Sequence, residues 1–204
     1  MVTHKNARNS QNRTDVRLEK IRRVLENRQK DLTLVLANIH DPHNVSAIYR
    51  SCDAFGVAGV HLYYTDVAFP HLAEKSSASA RKWVQSFRHN SAADLKAALQ
   101  ERGMRVYATS CSPQARPLGD FDFTKPSAII LGNEHSGVAP ELAGLADAEV
   151  YIPMFGMIQS FNVSVAAAVI LYEAARQRRA AGLYDEPTYD AAELEALYEL
   201  WASM

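Results

Sequence analysis

Three short segments of this sequence combine polar side chains and glycines in patterns that could carry chemistry. The first runs over residues 40–50 and places Asn44 where a helix cap would stand, with Arg50 within two turns of that end. An arginine held there can grip a phosphate through two parallel hydrogen bonds. A helix cap and a surface ion pair would account for the same two residues. The two histidines and the aspartate at 40–43 do not make a complete ligand set, so we expect no metal site.

The second segment is Leu-Gly-Asn-Glu-His-Ser-Gly-Val at residues 131–138. Gly132 and Gly137 allow a sharp turn that brings backbone groups close to a ligand. Their spacing matches neither the dinucleotide-binding glycine pattern nor the phosphate-binding loop, so a pyrophosphate site is not indicated. A plain turn between a strand and a helix would use the same glycines.

The third segment covers residues 152–164 and joins a strand to the last long helix. An apolar loop with Gly156 and two methionines precedes Ser160 and Asn162, either of which could cap that helix. Apolar surface beside a few placed polar groups suits an adenosine and a methionyl chain. The alternative is a connection that only packs against the core.

The elements that position these segments alternate between short apolar strands and amphipathic helices. Strands covered on both faces read as continuous apolar runs, so we predict an α/β fold with a parallel sheet and helices on both faces. In such sheets ligands bind beyond the carboxyl ends of the strands, after Ile39, Thr109, Leu131 and Ile152. The predicted strands are 32–39, 59–64, 83–87, 104–109, 128–131 and 149–152, and the predicted helices are 14–28 with Thr14 as N-cap, 44–55, 91–102, 138–145, 161–181 and 190–202.

Length and composition favour one main domain in a cytoplasmic protein. A chain of 204 residues can bury one good core, and its apolar runs are shorter than the roughly 20 residues of a membrane span. We therefore expect no membrane association. Cys52 and Cys111 are the two cysteines and do not form a CxxC pair, so a disulfide framework or a thiolate metal site is not expected.

Charge is distributed unevenly along the chain. Residues 1–30 hold nine Lys/Arg and three acids, whereas residues 185–204 hold six acids and no Lys/Arg. Concentrated positive charge is what docking to a polyanion requires, and a solvated helix face is the alternative. Direct contact between the acidic end and RNA is not expected. The candidate RNA contacts are Arg8, Arg13, Arg17, Lys20, Arg23 and Arg28.

In this order, the three segments resemble the three motifs of the TrmH/SpoU family in the SPOUT superfamily. The resemblance runs from about Arg17 to Arg179, and residues 25–32 and 40–44 resemble its tRNA guanosine methyltransferase branch. It implies transfer of a methyl group from S-adenosylmethionine (SAM) to the 2′-hydroxyl of a guanosine in the tRNA D-loop. Asn133 stands where that branch often carries Gln, which leaves rRNA or another tRNA nucleotide open as substrate. A catalytically silent RNA-binding module is the alternative of a different class.

The resemblance also implies an architecture. A deep trefoil knot at the C-terminal side of the sheet would hold the cofactor, and two copies would pack through the knot region as a homodimer. The small-residue face of the last long helix, from Val163 to Ala174, is compatible with either core or dimer contact. The implied domains are a basic extension at 1–30, the methyltransferase domain at 31–181 and an acidic helical extension at 182–204.

Residue roles follow from the same resemblance. A guanidinium does not give up its proton in a protein, so we interpret Arg50 as a phosphate-holding group and not as a base. The implied catalytic residues are Asn44 and Arg50 in the first motif, Glu134 in the second, and Ser160 and Asn162 in the third. The implied cofactor-binding residues are Thr109, Leu131, Gly132, Ile152, Met157 and Phe161.

Overall fold

The computed structural model describes residues 3–65, 68, 69, 80–133 and 136–204, of which 3–13 as backbone only. Within these residues, seven strands form a single sheet in which every neighbouring pair is parallel, in the order β3-β2-β1-β6-β4-β7-β5. Their bounds are β1 Gln29–Ala37, β2 Val57–Tyr63, β3 Gln85–His89, β4 Arg105–Thr109, β5 Arg116–Pro117, β6 Ser127–Leu131 and β7 Ala148–Tyr151.

Helices cover both faces of the sheet, which confirms the predicted fold class. Their bounds are α1 Thr3–Glu26, α2 Pro42–Ala54, α3 Ala92–Glu101, α4 Pro140–Ala143, α5 Val163–Ala180 and α6 Ala191–Ala202. The helices α2 and α5 pack together over one face, and α3 and α4 pack on the other. None of the helices in the described part of the chain has both the length and the apolar character needed to cross a membrane.

The central strand β1 shows why the apolar runs are continuous. Successive side chains of a strand point to opposite faces of the sheet. Accordingly, Leu34 and Leu36 pack under α2 and α5, whereas Val35 lies in the separate cluster under α3 and α4. All three are fully buried. Each face of β1 therefore needs apolar residues, and period-two alternation disappears.

Two predicted helix starts were wrong. The helix α1 begins at Thr3, so Thr14 lies in its interior and does not cap it. The N-cap of α2 is Asp41, whose carboxylate accepts a hydrogen bond from the His43 backbone N–H at 2.8 Å. Pro42 has no N–H and a fixed φ, which suits the first helical position and moves the start of α2 ahead of Asn44.

The two terminal helices pack on each other outside the sheet. Ile21 and Leu25 of α1 meet Trp201 of α6 in a small apolar cluster. Arg17 donates hydrogen bonds to the carbonyl groups of Trp201 and Ala202, at 3.2 and 3.3 Å, and so caps the C-terminus of α6. The ion pair Arg22–Glu195 adds to this contact, and the ion pair Lys30–Glu193 joins α6 to β1. The acidic end of the chain is thus docked on the basic helix.

Candidate active site

Three strand ends at the carboxyl edge of the sheet bring together four of the residues implied to bind cofactor. The strands β6, β4 and β7 are neighbours, so Leu131 and Gly132, Thr109, and Ile152 leave the sheet side by side. The Thr109 hydroxyl donates to the Ile130 carbonyl at 3.0 Å, which ties β4 to β6 at this edge. Leu131 is buried and Ile152 is partly buried against the core. The resulting floor is apolar, with backbone groups at its rim.

The loop that follows β6 is closed on itself. Asn133 and Gly137 exchange two backbone hydrogen bonds, of 3.0 and 2.9 Å. A Cβ atom on Gly132 would lie 2.1 Å from the carbonyl carbon of Gly137, so only glycine fits there. The Asn133 side chain donates to the Asn38 carbonyl at 2.8 Å and ties the loop to the end of β1. Glu134, the predicted catalytic residue of this motif, lies outside the described residues.

The first and third motifs meet through two asparagine side chains. Asn162 caps α5, accepting a hydrogen bond from the Ser164 N–H at 2.8 Å, as predicted for this position. Its amide nitrogen donates to the Asn44 side-chain oxygen at 3.0 Å. Asn44 is buried in the first turn of α2. The predicted cap role of Asn44 was therefore wrong, but its position joins the starts of two helices at the carboxyl edge.

Arg50 does not join this group. It lies six residues beyond Asn44, about 9 Å further along α2, and its side chain is exposed. Its guanidinium makes no hydrogen bond or ion pair to a described residue. Ser160 is likewise exposed, with no hydrogen bond to the described part of the chain. The structure therefore leaves these two predicted catalytic groups open to a ligand.

The loop between β7 and α5 exposes large apolar side chains. Phe155 and Met157 are 98% and 99% exposed, and Ile158 is 60% exposed. The two predicted cofactor residues of this loop are thus placed differently, because Met157 extends into solvent whereas Phe161 is 38% exposed. Apolar surface of this kind is unfavourable in water and marks a binding or interaction site.

The loop after β4 holds polar residues that sequence reasoning missed. The Ser112 hydroxyl donates to the Glu149 carboxylate of β7, and the Ser110 N–H donates to the Val150 carbonyl at 3.0 Å. Hydrogen bonds from Ser112 and Ser110 lower the pKa of Glu149. These contacts fix the wall of the site beside Thr109. Clustered serines directly after a predicted strand were the available signal.

The candidate RNA contacts on the N-terminal segment divide into four groups. Lys20 and Arg23 are exposed, with no side-chain hydrogen bond or ion pair to a described residue, whereas Arg17 is engaged by α6. Arg28 was wrongly predicted, because its side chain is 1% exposed, donates to the Val57 carbonyl at 3.0 Å and pairs with Asp53. A guanidinium so enclosed cannot reach a phosphate. Nothing is described of the side chains of Arg8 and Arg13.

A cavity of about 330 Å³ lies elsewhere in the molecule. It is lined by residues around Gly103, Met104 and Asp147, at the amino end of β4. Asp147 there accepts a hydrogen bond from the Val106 N–H, as part of the fold. Because ligands of parallel sheets bind at the carboxyl edge, the joined asparagines and strand ends are the stronger candidate site.

Comparison with known proteins shows the family of the chain. The sequence profile of the SpoU rRNA Methylase family matches residues 31–172, which include all three motifs. The chain belongs to the SpoU rRNA Methylase family. As a SpoU methylase, it is an RNA methyltransferase that uses SAM as the methyl donor.

Individual SpoU relatives are similar over most of the chain. The tRNA (guanosine(18)-2′-O)-methyltransferase of Thermus thermophilus is 49% identical over 178 residues, covering 87% of this chain and 91% of the relative. The TrmH/SpoU tRNA modifying enzyme of Aquifex aeolicus superposes with a TM-score of 0.86 at 38% identity, covering 93% and 96%. The SpoU methyltransferase AviRb from Streptomyces viridochromogenes, solved with AdoMet (SAM), gives a TM-score of 0.66 at 28% identity, covering 76% and 59%.

Proposed function

We propose that this chain methylates the 2′-hydroxyl of a guanosine in tRNA, the reaction for which the Thermus relative is named. The observation that carries the proposal is the contact between the Asn162 and Asn44 side chains. It joins the first and third motifs at the carboxyl edge of the sheet, beside the ends of the strands that would hold the cofactor. The D-loop guanosine at tRNA position 18 is the proposed target, as in the name of that relative.

The residues at the strand ends fit SAM. Ile152, which is only partly buried, offers apolar surface to an adenine ring beside the buried side chain of Leu131, and the backbone beside Gly132 and Thr109 offers the few hydrogen bonds that fix its edge. Met157 and Phe161 lie on a loop whose exposed apolar groups gain burial if they cover a bound nucleoside. When bound, the cofactor supplies a methyl group on a sulfonium, which passes in line to the ribose oxygen.

The chain itself must position the ribose and direct its proton. A ribose hydroxyl is a poor nucleophile until its proton is leaving. A guanidinium has no lone pair that readily accepts a proton, so the role of Arg50 is to hold the adjacent RNA phosphate, and that phosphate or a water accepts the proton. Arg50 is exposed on the outer surface of α2, which supports this role because an RNA phosphate can reach its guanidinium. Asn44 and Asn162 hold the motifs in register and Ser160 is exposed to a ligand, while the catalytic role implied for Glu134 stays a prediction.

Substitutions at Arg50 separate this role from that of a base. We expect Arg50→Lys to lower kcat about 100-fold, because a single ammonium cannot reproduce the two-point grip on the phosphate. The pH–rate profiles of Arg50→Lys and the parent chain should have the same shape. Full recovery of Arg50→Ala activity by small neutral amines would instead make Arg50 a proton acceptor.

The test of the whole proposal is transfer of labelled methyl from SAM to purified tRNA and rRNA taken from cells that lack these methylations. We expect one 2′-O-methylguanosine in the tRNA D-loop, mapped by nuclease digestion and mass spectrometry. Label in rRNA or at another tRNA nucleotide would keep the chemistry and replace the substrate. SAM binding without any transfer would favour the catalytically silent RNA-binding module.

We propose that the N-terminal helix adds affinity for RNA phosphates. Lys20 and Arg23 are exposed on α1 without an ion pair to any residue that the structure describes, and Arg8 and Arg13 lie on the same helix. Each contact of a cation with a phosphate releases counterions, so binding should depend on salt. Deleting residues 1–13 should weaken tRNA binding and reduce its salt dependence while SAM affinity stays unchanged. Unaltered tRNA affinity would contradict this role.

We propose a homodimer packed through the loop before α5 and the outer face of that helix. Phe155, Met157 and Ile158 are exposed together with Val165 and Tyr172 of α5. The small-residue face of α5 does not serve this purpose, because its Ala167, Ile170, Leu171 and Ala174 are buried within the chain. Sedimentation should give twice the mass of the chain, and Val165→Lys with Tyr172→Lys should give the monomer. A monomeric parent chain would refute the dimer.

We also propose the trefoil knot, the domain boundaries and the cytoplasmic location that the family resemblance implied. The chain leaves β7 and must pass over the ends of β4 and β6 to reach α5, which packs on α2. That path supports a threading of the loop through the region of the other two motifs.

Residues 31–181 would form the methyltransferase domain, although β1 begins two residues earlier, at Gln29. An experimental density map of residues 110–162 tests the threading, and cell fractionation tests the location.

A further inference from the structure

Two exposed arginines flank one aromatic ring beside β3. The guanidinium carbons of Arg81 and Arg88 lie 5.9 and 5.2 Å from the centroid of the Phe69 ring. That ring packs edge-on against Tyr64, with centroids 5.2 Å apart and planes at 81°. We call these four residues the β3 arginine surface. Contacts of cations with the ring restrict both guanidinium groups to one neighbourhood.

No residue in the described part of the chain compensates the positive charge of the β3 arginine surface. Neither Arg81 nor Arg88 makes a hydrogen bond or an ion pair to a described residue, and both side chains are exposed. By contrast, Arg28 and Arg178 are buried against aspartates, and Arg176 pairs with Glu173. An unpaired, exposed guanidinium keeps all its N–H donors for an external anion, and its planar fork matches a phosphate.

The β3 arginine surface lies on the flank of the molecule covered by α2. Side chains two apart on a strand share a face, so Arg88 is on the same face as Ser86. The Ser86 hydroxyl lies 2.6 Å from the Tyr49 hydroxyl of α2, which fastens this face to the helix. Burial raises the pKa of Tyr49, and the positive charges of Arg81 and Arg88 oppose that rise. The strand face that carries Arg88 is therefore the face that contacts α2 at Tyr49.

Two connections link this surface to the first motif. Arg50 directly follows Tyr49 and is about 100° further around α2, on its exposed side. In addition, the Tyr64 hydroxyl donates to the Ile39 carbonyl at 3.0 Å, at the start of the loop that leads into α2. Arg88 is the fourth residue of β3 and thus lies towards the carboxyl edge. An RNA strand at Arg50 would have this surface beside it.

We propose that the β3 arginine surface binds backbone phosphates of the RNA strand that carries the target nucleotide, next to the phosphate held by Arg50. The inference rests on the proposed function and adds a second contact area, separate from α1. Phe69 acts as a spacer that holds the two guanidinium groups in place before RNA arrives. Pre-organised side chains lose less conformational freedom on binding, which improves affinity without new contacts.

The test compares charge removal at two edges of the sheet in the full-length chain. Arg81→Gln with Arg88→Gln removes the proposed contacts, and Arg105→Gln is the matched control. Arg105 is also exposed but begins β4 at the opposite edge. Binding of tRNA is measured by fluorescence anisotropy from 50 to 200 mM salt, and KM and kcat are measured beside it. Thermal unfolding and SAM titration verify that each variant is folded.

We expect each glutamine substitution on the surface to raise the Kd and KM for tRNA about threefold to tenfold. The slope of log affinity against log salt should fall by about 0.7 for each lost contact to a single strand. Phe69→Leu keeps both charges, so it should raise KM while the salt slope stays unchanged. SAM affinity should not respond to any of these changes, and Arg105→Gln should match the parent chain.

The outcomes separate this inference from the proposed function. A parent chain that methylates tRNA, with a double variant that behaves like Arg105→Gln, overturns the β3 arginine surface alone. A parent chain that binds tRNA without methylating it overturns the proposed function, while a reduced salt slope in the double variant still supports the surface. A parent chain that neither binds nor methylates tRNA overturns both.

Discussion

Arg178 of α5 is the most connected buried charge in the described part of the chain, and its removal gives a sharp stability prediction. Its side chain is fully buried. The guanidinium donates to the Gln29 side chain at 2.9 Å, to the Phe123 carbonyl at 2.8 Å and to the Asp31 carboxylate at 2.5 Å. Longer contacts reach the carbonyl groups of Asp31 and Lys125. One residue thus ties α5 to β1 and to the segment before β6.

The magnitude follows from what Arg178→Ala leaves behind. Removing one partner of a buried ion pair costs about 3–5 kcal/mol, because the remaining charge and acceptors lose their donor. The Asp31 side chain is 33% exposed and can be partly hydrated, so we expect the lower end, about 3 kcal/mol. Arg178→Lys should recover only part of this loss, since an ammonium cannot serve acceptors placed around a planar fork.

The assay is urea unfolding of the full-length chain at a fixed protein concentration and at saturating SAM. Arg179→Ala is the matched control, because Arg179 is the adjacent arginine but is exposed, without a side-chain contact to a described residue. The control should change the free energy of unfolding by less than about 0.5 kcal/mol. Equal losses for Arg178→Ala and Arg179→Ala would refute the assignment of Arg178 as a structural centre.

Three further predictions concern the loop, the terminal helices and acid sensitivity. Gly132→Ala brings a methyl group into the carbonyl of Gly137, so calorimetry should show at least about tenfold weaker SAM binding in a folded chain; unchanged affinity would contradict the closed loop. Trp201→Ala should lower the free energy of unfolding by about 3 kcal/mol. In hydrogen exchange, the amides of α6 should lose their protection while those of the sheet keep it. A uniform loss of protection would count against separate docking of α6. Burial and then the charge of His89 lower the pKa of His61 to about 3. Below pH 6.5 the unfolded chain therefore binds a proton that the native chain does not, and the free energy of unfolding should fall by about 1 kcal/mol between pH 6.5 and pH 5.5. In urea titrations at both pH values, His61→Phe should flatten this fall, and an unchanged slope would disprove it.

The parts of the fold that could be predicted are those whose burial produces a recognisable pattern of apolar residues in the local sequence. Strands buried on both faces are continuous apolar runs, and every such run that was predicted is present within three residues at its amino end and two at its carboxyl end, with β1 showing the largest difference. The two-residue strand β5 escaped prediction, because Arg116 and Pro117 carry no apolar signal and pair only with the end of β7. The strand β5 therefore depends on its pairing with β7, which leaves no signal in the local sequence.

The start of a helix and its hydrogen bonds to distant segments were also only partly predictable from local sequence. Asn44 and Asp41 are both residue types that cap helices, and the choice between them falls to Pro42. Sequence patterns predicted Asn162 as a cap but not its contact with Asn44, 118 residues away. Similarly, the anchoring of Asn133 on Asn38 joins residues 95 apart. Motif order indicated that these segments act together, whereas their mutual positions required the folded chain.

The sequence could not distinguish buried, paired arginines from exposed ones. Along the sequence, Arg28 and Arg23 look alike, since both belong to the basic segment. In space, Arg28 pairs with Asp53 and is buried, while Arg23 remains exposed. A buried guanidinium must be paired because desolvation of an unpaired charge is too costly, so burial selects the structural arginines. The unpaired, exposed ones, such as Arg50 and Arg88, retain their donors for a polyanion. Counting positive charges along the sequence therefore overestimates the RNA surface on α1 and overlooks the one beside β3, because the sequence does not show which cations the fold has already neutralised.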